Sequence, residues 1–304
     1  MAAFCSTCCA IWRHRSQNFV FTITRHSLRS EWRVNFYTGK TTKLKVGSWW
    51  GRWIKEVVVD RCRIAPSIAF ACIAVFSSAS AQAEPRAVIE LFTSQGCSSC
   101  PAADKLIGEY ARDPSVIALS LAVDYWDYLG WKDTLAMSGH SNRQRAYAKG
   151  RGDRQVYTPQ AVIDGAVHAL GSDKAAIERA IRQAGDQSAA LKLPVTVERT
   201  GDKLTVTIAA SENEKGQAEV WLCPITRSVA VTIARGENSG HTITYSNVVR
   251  RWIKLGDWTG KAETFSVPVA DFQNGSIDGA AVLVQSGVTS APKVMLGAAQ
   301  LAIR

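Results

Sequence analysis

The apolar positions along the chain change rhythm three times. Residues 1–56 show no clear period, and residues 64–76 form a mostly apolar run. From Arg86 to Ala184, short apolar runs alternate with stretches of helical spacing. Beyond Leu193, short runs with partial alternation follow one another, separated by Gly, Asn and Asp.

The run Arg86–Thr93 is β-rich and ends at the turn signal Ser94-Gln95-Gly96. Further on, Ala103, Leu106, Ile107 and Tyr110 recur at helical spacing, and Asp113-Pro114 ends the helix they predict. Val116–Val123 is continuously apolar, as expected of a strand buried on both faces. Strand, helix and strand with a crossover make a right-handed βαβ unit. Asp124–Asp133 is a loop dense in aromatics, and Asp133–Lys149 reads as a helix broken at Gly139. Thr158-Pro159 precedes the strand Gln160–Ile163, Asp164-Gly165 signals a hairpin, and Ala166–Leu170 is the returning strand. Ser172 is placed to cap a last helix from Asp173 to Ala184. The predicted order over 84–186 is βαβαββα.

The runs Val195–Val197, Leu204–Ile208, Ala218–Leu222, Ser228–Ile233 and Ala280–Gln285 predict an antiparallel, sandwich-like β domain over 193–304. Ala184–Leu193 then serves as the linker. The segment Gly236–Gly240 is too short for a phosphate loop and reads as a turn.

The chain has 304 residues and a formal net charge of +10, which raises nucleic acid or an acidic membrane as a partner. The location of the charge removes that reading for the body. Residues 1–60 hold 10 Lys or Arg against 3 Asp or Glu, whereas Glu84 onward holds 24 against 23. No nucleic-acid partner is expected.

Residues 61–83 have the layout of a secretory signal peptide. Arg61 and Arg63 supply the positive start, Ile64–Phe76 the apolar stretch, and Ala81-Gln82-Ala83 the small-residue cleavage site. The expected location is periplasmic or secreted, with membrane contact only through this segment if it stays uncleaved. Its depth in the chain has two readings. Either translation starts at Val57, Val58 or Val59, on a codon read elsewhere as valine, or 64–83 is a signal anchor. Residues 1–56 hold five of the ten Trp and no period, which suits a stretch that is non-native or disordered. Cys72, after Ala69-Phe70-Ala71, reads as one more apolar residue rather than a lipid attachment point.

Cys97-Ser98-Ser99-Cys100 carries the candidate chemistry. A C-x-x-C directly after a strand, inside a βαβ unit, reads as a thioredoxin-like redox motif. Cys97 is expected at or next to the helix N-cap, where unpaired N–H groups and the helix dipole favour its thiolate. Cys100, one turn on, can attack the mixed disulfide. Asp104 could act as a base for the buried thiol, although an exposed first-turn Asp is the ordinary reading. A structural disulfide closing so small a loop would remove little unfolded-state entropy. A zinc site would need ligands that are not close by, so no metal and no cofactor is expected. Thr158, Tyr125 and Trp126 are candidate substrate contacts at the strand ends, with core packing the alternative for the aromatics. His140 and His168 read as structural or surface residues, and Cys223 as a buried free thiol.

Glu90-Leu-Phe-Thr-Ser-Gln-Gly-Cys-Ser-Ser-Cys-Pro101, Val123–Asp127 with Gly130–Asp133, Gln144–Tyr147 and Val156–Gln160 together resemble a bacterial family of secreted proteins. Gly236–Gly240 and Tyr245–Arg250 resemble that family's second half. The family is known only as a domain of unknown function, placed in the thioredoxin-like superfamily. The resemblance implies export and an α/β thioredoxin-like fold followed by the β domain. It makes Cys97 the nucleophile, Cys100 the resolving cysteine and Pro159 a cis-proline. It implies no established reaction. The Ser-Ser dipeptide and the lack of an identifiable buried acid depart from the thioredoxin pattern. The expected partners are protein thiols or disulfides. Three functions follow: a thiol–disulfide oxidoreductase, a non-catalytic binding or assembly module, and copper(I) delivery on two thiolates.

Overall fold

The computed structural model describes residues 7–14, 17–25, 32–37, 84–187, 190–212 and 217–303. The chain divides into two compact units, Met1–Ser78 and Ala79–Arg304. In the first, β1 (Thr7–His14), β2 (Gln17–Arg25) and β3 (Trp32–Tyr37) form an antiparallel meander. The candidate signal segment 61–83 lies outside the described residues.

The second unit begins with β4 (Ala87–Thr93), α1 (Pro101–Tyr110), β5 (Val116–Ala122) and α2 (Ser138–Arg151). The hairpin β6 (Gln160–Ile163) and β7 (Val167–Leu170) follows, then α3 (Lys174–Gly185). At the hairpin tip Asp164 and Gly165 both take positive φ, 50° and 70°, as a tight two-residue turn requires. Eight further strands complete the unit: β8 (Val195–Thr200), β9 (Lys203–Ile208), β10 (Ala218–Thr232), β11 (Thr242–Val249), β12 (Ile253–Trp258), β13 (Glu263–Pro268), β14 (Gly279–Val288) and β15 (Ala291–Ala302).

The expected fold class, an α/β thioredoxin-like domain followed by an all-β domain, is overturned by the sheet topology. The structure is mostly β, with three α-helices among the described residues. One nine-stranded mixed sheet runs β15-β14-β10-β11-β5-β4-β6-β7, with β12 also pairing β10. Strands from both halves of the sequence therefore share one sheet, joined where Val248 of β11 pairs in parallel with Ser120 of β5. A second, three-stranded sheet has the order β13-β9-β8. The supposed linker is also tied down. Leu191 and Leu193 donate their N–H groups to Met295 and Leu296 at 2.9 and 2.8 Å, and both side chains are buried.

Packing explains why the second half does not close into its own sandwich. On one face, Val220, Leu222, Val282 and Val284 pack against Val197, Val206 and Ile208 of the small sheet. On the other, Cys223, Ile225, Ala281 and Leu283 join Phe92, Leu119 and Tyr147 in a core that spans both halves. A sheet apolar on both faces needs a cover on each side. The small sheet lies over one face, and Tyr147 of α2 packs into the other. The third core, with Ile89, Leu91, Ile107, Ile163 and Ile177, lies between β4–β6 and the helices α1 and α3.

At the heart of the spanning core sits a buried polar knot. Glu90 of β4 is fully buried and meets the Arg143 guanidinium at 2.6 and 3.2 Å. The Tyr147 hydroxyl donates to Glu90, and Gln285 of β14 bonds both Tyr147 and Arg143 at 2.8 Å. Burial alone would lower the Arg143 pKa, but the adjacent Glu90 carboxylate more than offsets it and holds the guanidinium charged. Glu90→Gln should leave that cation buried without its counter-charge and cost about 3–5 kcal/mol. Urea denaturation of the full chain measures this, and a loss under about 1 kcal/mol would show that the knot does not hold the two halves together.

Candidate functional site

Cys97 and Cys100 are joined by a disulfide, with Cα atoms 5.4 Å apart. The helix begins later than the sequence suggested. Pro101 occupies its first position, so Cys100 rather than Cys97 is the N-cap residue. A proline lacks an N–H and carries a helical φ, which makes the first turn its natural place. Cys97 stands in the turn before it, accepting the Cys100 N–H at 3.1 Å. The two cysteines are 1% and 0% exposed, while Ser98 and Ser99 face solvent. The Ser99 hydroxyl lies 3.4 Å from Cys97 Sγ, close enough to donate to the sulfur.

The loop ahead of the disulfide is clamped from two directions. From the aromatic loop, Asp133 Oδ2 accepts the Gln95 N–H at 2.7 Å, and Trp131 Nε1 donates to Gln95 Oε1 at 2.8 Å. From the second half, Asn238 Nδ2 donates to the carbonyls of both Gln95 and Cys97 at 2.9 Å, and Glu237 accepts the Ser98 N–H at 3.2 Å. Asp133 was expected to begin a helix. Instead α2 starts at Ser138, and Asp133 is buried against the loop, where burial raises its pKa against the pull of its backbone donors.

Asp104 is the buried acid that the sequence left unidentified. It is 1% exposed, not a first-turn surface residue, because α1 turns its face of Ala103, Asp104, Leu106, Ile107 and Tyr110 inward. Its N–H bonds the Cys100 carbonyl at 3.0 Å, one helical turn from the disulfide. Thr93 Oγ1 donates to Oδ1 at 2.7 Å, and Oδ2 is buried without a hydrogen-bond partner. Burial pushes the carboxyl up to about 8, against the Thr93 hydrogen bond and with help from Asp133. The acid is therefore protonated at neutral pH and titrates where a thiol does. The buried Tyr245 hydroxyl also has no hydrogen-bond partner, and its pKa is raised by burial, then by Asp104 and Asp133.

The other candidate residues are placed as follows. The Thr158–Pro159 bond is cis. Trp126 Nε1 donates to Thr158 Oγ1 at 2.7 Å, and Trp126 Cβ stands 3.1 Å from where a side chain on Gly96 would begin. Trp126 and Thr158 thus form a pair beside the residue that precedes Cys97. A Cβ on Gly171 would meet Pro159 at 3.1 Å and Ala103 at 3.3 Å, which sets Pro159 close to the start of α1. Tyr125 turns to α2, where its hydroxyl donates to Gln144 at 3.1 Å. His140 is fully buried with Nδ1 2.9 Å from the Ala122 carbonyl, and burial lowers its pKa to about 4. His168 pairs with Asp153 at 3.2 Å. Cys223 is a buried free thiol in the spanning core.

The profile of the family described as "Protein of unknown function (DUF1223)" matches residues 88–285. The chain belongs to this family. A DUF1223 assignment carries no reaction, so the chemistry rests on the site itself. A protein of Agrobacterium tumefaciens, solved by X-ray crystallography as a structural-genomics target, is 33% identical with a TM-score of 0.66. That match covers 74% of this chain and 97% of the other. No curated protein matches.

Sequence reasoning missed Gln95, Asp133, Glu237 and Asn238 as parts of the site. The motif Gly236-Glu-Asn-Ser-Gly240 is legible as a turn and as part of the family resemblance, but nothing in it places the segment beside Cys97. A buried Asp raised in this way holds an extra proton in the folded state between about pH 4 and 8, so unfolding releases it and stability falls as pH rises through that window. Asp104→Asn should therefore flatten the decline, leaving stability near pH 4 little changed and raising it at pH 9 by on the order of a few kcal/mol. Denaturant titrations of both proteins across this range test it, and parallel pH profiles would contradict a raised Asp104.

Proposed function

We propose that this DUF1223 chain is an exported thiol–disulfide oxidoreductase. The observation that carries the reading is a C-x-x-C disulfide at the start of α1 with the buried acid Asp104 one turn away. Export is supported by the signal-like segment 61–83 and by the disulfide, since such bonds persist in oxidising compartments.

The reaction follows from these groups. A substrate thiolate attacks Cys97 Sγ, forming a mixed disulfide and breaking the Cys97–Cys100 bond. Cys100 leaves as a thiolate, and neutral Asp104 can supply its proton. A second substrate thiolate then attacks the mixed disulfide, and Cys97 leaves in turn. The substrate loses two electrons to form its disulfide, and the protein gains them as a dithiol. In the reverse direction the Asp104 carboxylate takes the Cys100 proton as the protein's disulfide re-forms. Trp126, Thr158 and Pro159 are the proposed substrate contacts beside Gly96, and Tyr125 supports them through Gln144.

A second reading has one observation in its favour. Both cysteines are almost wholly buried and their loop is clamped, as suits a fixed bridge in a non-catalytic binding or assembly module of the cell envelope. The reduction potential separates the two. Equilibration of the full chain in thiol buffers should give a reversible couple between about −120 and −270 mV. A bridge that stays closed below roughly −300 mV would favour the fixed staple. Cys97→Ser should abolish turnover of glutathione disulfide, and Asp104→Asn should displace the limb of the rate profile near pH 8. Turnover that survives Cys97→Ser would end the oxidoreductase reading.

A further inference from the structure

A groove of about 680 Å³ leads away from the disulfide loop. Ser98 and Pro101 line its end nearest the cysteines. One wall is a single stripe of α1 and its C-terminal extension: Pro101, Lys105, Gly108 and Arg112. The other is β11, from Thr242 to Ser246. A Cβ on Gly108 would stand only 3.0 Å from Ser246 Oγ, so glycine is what lets helix and strand converge there.

The strand wall has an open edge. The Ile233 N–H donates to the His241 carbonyl at 2.9 Å, and the register continues with Val231 opposite Ile243 and Val229 opposite Tyr245. Bonded and non-bonded pairs alternate in an antiparallel ladder. Ile243 and Tyr245 therefore turn their N–H and C=O groups to β10, and Thr242 and Thr244 turn theirs away from it. On that far side β11 pairs only at Val248 with Ser120 among the described residues. Ser246 gives its carbonyl to the Ser120 hydroxyl at 2.7 Å, and the outward backbone groups of Thr242 and Thr244 have no hydrogen-bond partner among the described residues. The groove is also cationic. Lys105 and Arg112 are exposed and make no ion pair among the described residues, and the one carboxylate of the lining, Glu237, stands at the disulfide end, where it accepts the Ser98 N–H, so the stretch beside α1 carries the excess positive charge.

We infer that this groove receives an extended acidic segment of the substrate protein as an added strand on β11, bringing the segment's thiol or disulfide to Cys97. The inference rests on the oxidoreductase reading and names its substrate class. Main-chain pairing with Thr242 and Thr244 supplies affinity without sequence demand, and Lys105 and Arg112 select acidic side chains. Ser98 marks where the bound strand reaches the reactive pair.

The test compares two substrates of the reduced full-length protein. One is an acidic peptide carrying a single cysteine as its mixed disulfide with glutathione, and the other is glutathione disulfide, too small to span the groove. The readout is the ratio of their kcat/KM values. Thr244→Pro removes an outward N–H at a place where an edge strand tolerates proline. Lys105→Glu with Arg112→Glu reverses the charge and leaves the strand intact. Each change should lower the ratio roughly tenfold, and the charge reversal should shift preference to a lysine-rich peptide. A ratio unmoved by both changes overturns the groove and leaves the redox reading standing. If the unaltered protein turns over neither substrate, the redox reading fails by itself. Fluorescence anisotropy of a cysteine-free acidic peptide then decides the groove: binding weakened by both changes supports it, and no binding, or binding indifferent to both, overturns it.

Discussion

A carboxylate with no exposure sits near the middle of the main sheet, and much of the fold is arranged to keep it there. Glu90 on β4 cannot be left alone at that depth, because an unpaired buried charge costs several kcal/mol. Arg143 and Tyr147 come to it from α2, and Gln285 comes from β14. Three segments far apart in sequence must therefore meet at one point. That requirement fixes α2 across the sheet and holds β14 in register with the first half. The apolar side chains around the knot supply most of the burial, but they would tolerate sliding. The bidentate geometry of the Glu90–Arg143 pair would not.

The same logic operates on a smaller scale at the disulfide. The loop Ser94–Cys97 has no strand or helix to hold it, so its polar groups must find other partners. Asp133 takes one N–H, and Asn238 satisfies two carbonyls. Each partner comes from a different connection, so the loop's shape depends on the whole unit being assembled. Asp104 is the counterpart on the helix side. It is placed by Pro101, which starts α1 so that the fourth helical residue turns inward toward Thr93. The half-satisfied, protonated carboxyl that results is a costly arrangement for stability alone. The oxidoreductase chemistry proposed above would give that arrangement a use, with Asp104 as proton donor and acceptor for Cys100.

Much of the local structure was legible in the sequence. The strand at Ala87–Thr93, the helix after Cys100, the strand at Val116–Ala122 and the Asp164-Gly165 hairpin all announce themselves by period, apolar run or turn chemistry. What was not legible was partnership. Nothing in the short run Thr242–Val249 says that it joins β5 through Val248, and the polar alternation of the second half looked like a self-contained sandwich. One signal did point the other way. Ala218–Ile225 and Gly279–Val284 are almost continuously apolar, which marks strands covered on both faces. Asp104 was misjudged because helical spacing gives the face of a residue but not what lies above that face. Glu237 and Asn238 were out of reach, since their partners stand roughly 140 positions away.

That distance bears on why the second half belongs to the site at all. A C-x-x-C at a helix start has its chemistry within a few residues, yet here the carbonyl of Cys97 and the N–H of Ser98 are both held by the turn Gly236–Gly240. The turn joins β10 to β11, and those strands are locked into the main sheet by β14 on one side and β5 on the other. Fixing the turn therefore requires the whole sheet, and a first half cut loose would lose the donor that secures Cys97. The site is in this sense a property of the nine-stranded sheet rather than of the motif. The open edge of β11 follows from the same arrangement, because a strand that among the described residues pairs with β5 only at Val248 leaves the outward groups of Thr242 and Thr244 free beside α1.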